Sequence, residues 1–499
     1  MFEASTGVAT ADLRSLLTVL AHIEPARDDA ERIDQLALLE RLKSVLAAGQ
    51  ARITVDLVDS QALVAEAARG RARAAADAGD FETWRAERDA VRAATCDDGS
   101  ETALDTRRAG RRRRPGGDIG VKAQVALARR ESPTCGGRHV RTALTLVRDM
   151  PNALSALESG ALTEHRADLL VQETAILTAE QRALVDAELA DHWADELGWC
   201  GDRELVRRVR AVCYRIDAES VVARARQAES DRRVSLRPVP DTMSYLTALL
   251  PVAEGVAVLA ALTKAADSAR AAGDVRSKGQ VMADALVTRA TGQETASAVP
   301  VEVQLVMTDR ALLAGAADPA QVPGYGTVPA AWARQLLGIS PAEAVETTQP
   351  ERAQVWLRRL YTHPGDGTLV TTDSSRRVFD GTLRSFLLAR DGTCRTPWCD
   401  APIRHLDHVS DHATGGPTSA HNGQGLCVRC NLVKEMAGWR AQTVTSPGWR
   451  RHAVELTTPT GHTYRSTAPP ILPGVHPETN ARADNGSPLE VYYLDRLAS

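Results

Sequence analysis

Aromatic residues are scarce in this chain: Phe, Tyr and Trp together make up 4% of its 499 residues. Strands lean on aromatic and β-branched side chains, so a chain dominated by Ala, Leu, Val and Arg is expected to be mainly helical. No apolar run approaches the roughly 20 residues of a membrane-crossing helix, which speaks against a membrane partner. The N-terminal sequence MFEASTGVATADLRSLLTVLAHIEP has no basic stretch ahead of its short apolar patch and does not read as a secretory signal. The expected compartment is therefore cytoplasmic. An excess of positive charge is also missing, with 60 Lys and Arg against 64 Asp and Glu and a formal net charge of −4. Bulk electrostatics thus announce no nucleic-acid partner, and any basic surface has to be local. No repeat of fixed period is present.

What the chain has in quantity is length and helical periodicity. Its length exceeds one ordinary core, and two or three domains are expected. Between about Asp28 and Gly79, Leu39, Leu42, Leu46, Ile53 and Leu57 share one helical face, with Asp28 and Asp29 as candidate N-caps and Gly79 as a stop. A shorter helix is expected from Trp84 to Ala94. A polar break follows, CDDGSETALDTRRAGRRRRPGGDIG, with six arginines between Arg107 and Arg114. Such a run is either a solvated flexible segment or a phosphate-contacting arm. Helical patterns resume at Lys122, jointed at Pro151, Gly160 and Thr163, with Thr178 and Gln181 spaced as a capping box. They continue from Asp202 to about Gln227 and from Val252 to Thr291. Residues 1–300 are thus expected to form one large helical domain, broken near 96–120.

The period then changes. VEVQLVMT alternates like a strand from Val301, a helix is expected near Ala330–Leu337, and TLVTTDSSRRVF suggests one or two short strands. Together these make a small α/β extension over 301–375. An amphipathic helix in FDGTLRSFLLARDG leads into a compact module spanning 376–452, and 453–499 reads as an irregular C-terminal tail.

The module carries the chemistry. Of eight cysteines, Cys96, Cys135, Cys200 and Cys213 are scattered and read as plain thiols, while four cluster. Four residues separate Cys394 from Cys399 and two separate Cys427 from Cys430, with 27 residues between the pairs. In a reducing compartment such a set holds metal rather than disulfides. Four thiolates close a tetrahedral Zn²⁺ site, leave no open position, and supply folding energy to a segment too small to hold itself. The ligands between the pairs are of another kind. Asp407 and Asn431 offer hard oxygens suited to Mg²⁺ or Mn²⁺, and His408 can take a proton from water near neutral pH. Gly415-Gly416-Pro417-Thr418 permits a turn between two strands. Asn431 and Lys434 fall one helical turn apart on one face.

The order Asp407-His408, then Asn422, then Cys-x-x-Cys-Asn-x-x-Lys resembles the ββα-metal fold of the HNH endonucleases. The resemblance implies His408 as general base, Asp407 and Asn431 as ligands of the catalytic metal, and Asn422 as the residue that orients the base. The closing position is Asn431 where the family more often has His, a variant and a weaker ligand. The four cysteines match the cysteine-bearing branch of that family. Upstream, ALARRESPTCGGRHVRTALTLVRDMPNALSALESGALTEHRADLL is similar to the helical domain of unknown function 222, which in actinobacteria precedes a C-terminal HNH module. TLRSFLLARDGTCRTPWC and TPTGHTYRSTAPPILP are similar to that family's module entry and tail.

The expectation is therefore a mainly α, multi-domain protein ending in a zinc-stapled ββα-metal module that hydrolyses phosphodiester bonds in nucleic acid, double-stranded DNA foremost. Lys434, Arg404 and Arg429 are candidate phosphate contacts. Arg376, Arg377, Arg384, Arg390 and Arg395 would give the module a basic flank. His405 and His412 are rivals to His408, and Trp398 is expected to cover the zinc site. The alternative is a zinc-stabilised nucleic-acid-binding or protein-interaction scaffold without useful catalysis.

Overall fold

The computed structural model describes residues 9–94, 119–193, 196–293, 305–307, 311–312, 315–322, 325–336, 379, 381–446 and 449–469. Cys96, the arginine run, the first four residues of VEVQLVMT, all of TLVTTDSSRRVF but Phe379, Arg376 and Arg377 within it, and the tail past 469 lie outside them. Over the described residues the chain is mainly helical with small antiparallel sheets. No helix among them is long and apolar enough to cross a membrane. The chain falls into two compact units, Met1–Ser60 with Arg138–Val222, and Gln61–Gly137 with Ala223–Ser499.

In chain order the helices are α1 (Thr10–Leu20), α2 (Asp29–Asp77), α3 (Phe81–Ala94), α4 (Ile119–Arg129), α5 (Pro133–Asp149), α6 (Pro151–Ser159), α7 (Glu164–Glu173), α8 (Ala179–Leu189), α9 (Glu196–Trp199), α10 (Asp202–Ile216) and α11 (Ala218–Ala228). The core of the first unit joins Leu146, Met150, Leu157, Leu162, Leu170, Val185, Leu197 and Leu205 to Ala47 and Ala48 of α2. Its joints follow local rules. Pro151 opens α6, and Gly160 closes it in the left-handed region at φ 78°. Thr178 and Gln181 form the capping box of α8. The first free N–H groups of α6, at Asn152 and Ala153, are taken by the buried Asp186 carboxylate from α8.

The leucine face expected to seat α2 is not the buried one. Ser44, Ala47, Ala48, Ala51 and Val55 are buried, whereas Leu42, Leu46 and Ile53 are exposed. The physical reason is side-chain size. Alanines at helical spacing let neighbouring helices approach closely, so the small-residue stripe takes the packing and the bulky stripe faces out.

In the second unit an antiparallel hairpin, β1 (Arg233–Val239) and β2 (Met243–Leu249), occupies a stretch that the helical periodicity left unassigned. It precedes α12 (Val252–Ala271) and α13 (Lys278–Thr291). The short strands β3 (Ala320–Val322) and β4 (Gly326–Val328) pair antiparallel, a bridge joins Val306 to Gln321, and α14 (Ala330–Leu336) follows.

The C-terminal lobe begins with α15 (Gly381–Asp391). Strands β5 (His405–His408) and β6 (Gly423–Leu426) pair antiparallel, with Asp407 opposite Gln424 and His408 opposite Gly423. The helix α16 (Val428–Lys434) follows at once, and β7 (Arg440–Ser446), β8 (Trp449–Thr457) and β9 (Thr463–Thr467) close the lobe as a meander. The stretch from 453 expected to be irregular tail thus carries the end of β8 and all of β9. The β-branched residues of VELTTPTGHTYRST pair across a tight turn in which the Gly461 N–H donates to the Thr458 carbonyl oxygen.

Two features bind the lobe together. Asp391, 1% exposed, accepts from Arg390 Nε at 2.7 Å and from the Gly425 N–H at 2.7 Å, with Arg395 Nε 3.6 Å away. Arg390 also donates to the carbonyls of Ala420 and Gly423, and Arg395 to that of Ser466. Arg390 and Arg395 are thus struts inside the lobe and not part of a basic flank, because a neighbouring carboxylate lets the fold bury both charges. The second feature is long-range. Ile119, Ala123 and Leu127 of α4 share one core with Val433, Met436 and Trp439, against which Leu456 and Tyr464 pack. A boundary at residue 300 cuts this core apart, so the compact module expected over 376–452 shares its core with a segment far upstream.

Candidate functional site

The four-cysteine cluster forms where the sequence spacing places it. Cys394 and Cys399 come from the turn after α15; Cys427 caps α16 and Cys430 lies in its first turn. Their sulfurs lie within 4.8 Å of one another, with Cys399 Sγ 3.7 Å from Cys427 Sγ and 3.6 Å from Cys430 Sγ. A tetrahedron of 2.3 Å Zn–S bonds has edges of about 3.8 Å. The cluster therefore fits a metal such as zinc. Hydrogen bonding to Cys399 and to Cys394 holds the Cys394 and Cys427 thiols below their ordinary values, while Cys399 and Cys430 are pushed up. Four adjacent thiols do not all ionise unless a cation offsets them. Trp398 adopts φ 59° in the first knuckle and is 40% exposed, its ring edge-on to Tyr464.

The second constellation sits on the hairpin and the helix that follows it. His408, at the end of β5, is 8% exposed. Its Nε2 is 2.8 Å from Thr418 Oγ1, and its ring lies 4.5 Å from that of Phe379 and 5.3 Å from that of His412. Burial pushes its pKa below the ordinary histidine value, with Asp407 opposing and His412 and Lys434 reinforcing. The imidazole is therefore neutral at pH 7. His412 is exposed, and so is His405 at the other end of the strand.

Asn422 stitches the loop between the strands. Its Oδ1 accepts from the Ser410 N–H at 2.8 Å, and its Nδ2 donates to the carbonyls of Ser410 and Pro417, both at 2.9 Å. Gly416 belongs to the same arrangement, since a Cβ there would collide with the Ser410 carbonyl oxygen.

Lys434 turns inward from α16. Its ammonium donates to the His408 carbonyl at 2.9 Å and sits 2.9 Å from Asp407 Oδ2 and 2.8 Å from Glu435 Oε1. Burial works against its charge, but the neighbouring Glu435 and Asp407 carboxylates together outweigh that and raise its pKa. The contact with Asp407 is an ion pair without hydrogen-bond alignment. It leaves Asp407 Oδ2 as a buried acceptor with no hydrogen bond, and Asn431 Oδ1, one turn before Lys434, is another. Asp407 Oδ2 thus has a cation beside it, while a buried amide oxygen without a donor, as at Asn431, is costly.

The candidate phosphate contacts separate. Arg404 is exposed beside β5, and Arg384 is exposed on α15. Arg429 is half-buried and donates to the Pro133 carbonyl at 3.0 Å, while Lys434 is committed to internal partners. Sequence reasoning missed Thr418 and Phe379. Thr418 belonged to a segment read only as a turn, and Phe379 ended one read as a strand.

Residues 84–351 match the family described as "Domain of unknown function (DUF222)". The chain is similar to a protein of Mycobacterium tuberculosis (strain ATCC 25618 / H37Rv) described as "Uncharacterized protein Rv3776". The two are 32% identical over 200 residues, which is 37% of this chain and 36% of the relative's length. The similarity thus spans little more than a third of that relative. No solved structure matches.

Proposed function

We propose, for a chain that belongs to the DUF222 family and takes no activity from that family's description, that its C-terminal lobe is a metal-dependent HNH-type endonuclease site. The bond hydrolysed is a phosphodiester of nucleic acid, with double-stranded DNA as the first substrate to try. One observation carries this reading. Asn431 Oδ1 is buried without a hydrogen bond on α16, one turn before Lys434, whose ammonium reaches across to Asp407 Oδ2 and to the carbonyl of the buried His408.

The roles follow from the geometry. His408 is the base; its Nε2 shares a hydrogen bond with Thr418 Oγ1, and in the tautomer in which Nε2–H is the donor, Nδ1 is the nitrogen that takes a proton from the attacking water. Phe379 fixes the plane of the ring. Asn422 holds the loop from Ser410 to Pro417 and so keeps Thr418 against the base. Asp407 and Asn431 would hold Mg²⁺ or Mn²⁺, which when bound supplies Lewis-acid stabilisation of charge on the phosphate and leaving oxygens. Cys394, Cys399, Cys427 and Cys430 hold a structural zinc and take no part in the chemistry. Arg404 is the remaining exposed cation at the hairpin and the candidate contact to the phosphate backbone.

The test is plasmid nicking by the full-length protein in Mg²⁺, Mn²⁺ and EDTA, beside His408→Ala. Cutting that needs the metal and drops by roughly 10²–10⁴-fold in the variant is expected for loss of a general base. Equal cutting by both proteins, or none with any metal, sinks the assignment. One observation favours the second reading, a zinc-stabilised nucleic-acid-binding module that does not cut. Lys434 already neutralises Asp407. In that case DNA is bound with the same affinity in EDTA as in Mn²⁺ and is not cleaved.

A further inference from the structure

We propose that α4 is a positioning element for the candidate centre, clamping the outer side of α16 and so fixing where Asn431 and Lys434 stand against β5; its bearing on turnover rests on the metal-dependent reading above. The helix α16 has seven residues, far short of the length at which a helix holds itself in water. It is held by attachments around its surface. Cys427 and Cys430 face the sulfur cluster. Lys434 reaches the His408 carbonyl and Asp407, with Asn431 one turn earlier on the same side. Val433, with Met436 just beyond the helix, packs on Ile119, Ala123 and Leu127, and Arg429 bonds to Pro133.

At 100° per residue, Val433 lies about 160° around the helix from Asn431, so α4 presses from the side opposite the oxygen ligand. The approach is close. A Cβ on Gly120 would lie 2.9 Å from Met436 Cε. The junction leaves a cavity of only ≈ 30 Å³, lined by Ala123, Ala126 and Leu127 on one side and Val433, Lys434 and Trp439 on the other. Side chains in such a shared core move together, so displacement of α4 is passed to the residues of α16 that it touches. The helix α4 lies within residues 84–351, the part of the chain that matches DUF222. The family region thus supplies one wall of the lobe that carries the candidate chemistry, and a shift of α4 would move the helix that presents Asn431.

Full-length Leu127→Ala, with Ile119→Val as a milder variant and Leu127→Met as the conservative one, tests this. Hydrogen exchange over 428–439, zinc content and Mn²⁺ affinity are the readouts. Leu127→Ala is expected to keep its zinc, to exchange roughly ten-fold faster over 428–439 and to bind Mn²⁺ more weakly. Ile119→Val should lie between it and the wild type, and Leu127→Met should restore both values. If Leu127→Ala fails to fold, Ile119→Val alone decides by the same two values. Wild-type exchange protection in the folded variants overturns the clamp, whatever the metal results. Failure of the wild type to bind Mn²⁺ or to cut would sink the nuclease reading, while exchange would still decide the clamp.

Discussion

At the scale of single residues, side chains in the C-terminal lobe are held by partners that no motif announces. Thr418 is the clearest, because its hydroxyl shares a hydrogen bond with His408 Nε2 and holds the ring in place. Thr418→Val keeps the volume and removes the hydrogen bond. Cutting is expected to fall by roughly five-fold or more, with zinc content and melting close to wild type, as for loss of one hydrogen bond of about 1 kcal/mol or more. A rate equal to wild type would remove Thr418 from the site. His452 gives a second prediction, on stability. Its Nε2 bonds to the His421 carbonyl, its Nδ1 is buried without a hydrogen bond, and Arg395 donates to its own carbonyl. Burial, with the Arg390 and Arg395 charges added and Asp391 opposing, pulls its pKa down to about 3 from an ordinary 6.5. The folded chain resists a proton that the unfolded chain accepts, so stability is lost as pH falls from about 6.5 toward 3. Melting measured across that window should drop less steeply for His452→Gln than for wild type. Parallel curves would assign the acid sensitivity to other groups.

At the scale of elements, the sequence was most legible where chemistry forces a local spacing. Two cysteine pairs, a capping box at Thr178 and Gln181, and the proline and glycine bounding α6 each act within a few residues, and each forms. The hairpin and α16 were legible for the same reason. Faces and long-range pairings were not. The buried side of α2 is its alanine stripe, a choice made by the neighbouring helices and invisible to a count of leucines. The strands β8 and β9 carry pattern enough, but their pairing depends on β7 and on Arg395 anchoring Ser466. Arg390 and Arg395 look like surface cations until Asp391 is placed between them. Asp391→Asn would leave two buried guanidinium groups without their counter-charge, and a loss of about 3–5 kcal/mol is expected. Chemical denaturation measures it; a change below about 1 kcal/mol would show that the carboxylate is dispensable.

At the scale of the whole molecule, the divisions in the sequence and in the fold do not coincide. Pro133 and Arg429 are 296 residues apart and share a hydrogen bond. Nothing local in either segment signals it. A chain beginning at residue 301 therefore lacks α4 and exposes Val433, Met436 and Trp439. It is expected to be aggregation-prone or molten, seen as lost cooperativity in melting, and a sharp two-state transition for that fragment would refute the shared core. Chelation of zinc is expected to unfold the same lobe in the full-length protein, since four thiolates cannot stay close without their cation. Unchanged exchange protection over 394–434 after chelation would count against it. The short helix after the hairpin has one more consequence, for how this segment tolerates change. Each added residue turns everything beyond it by about 100°. One residue inserted after Cys430 would keep the sulfur ligands but swing Asn431, Val433 and Lys434 off their targets together. Length variation among related chains should therefore collect in the loop between the strands and be absent from 427–434.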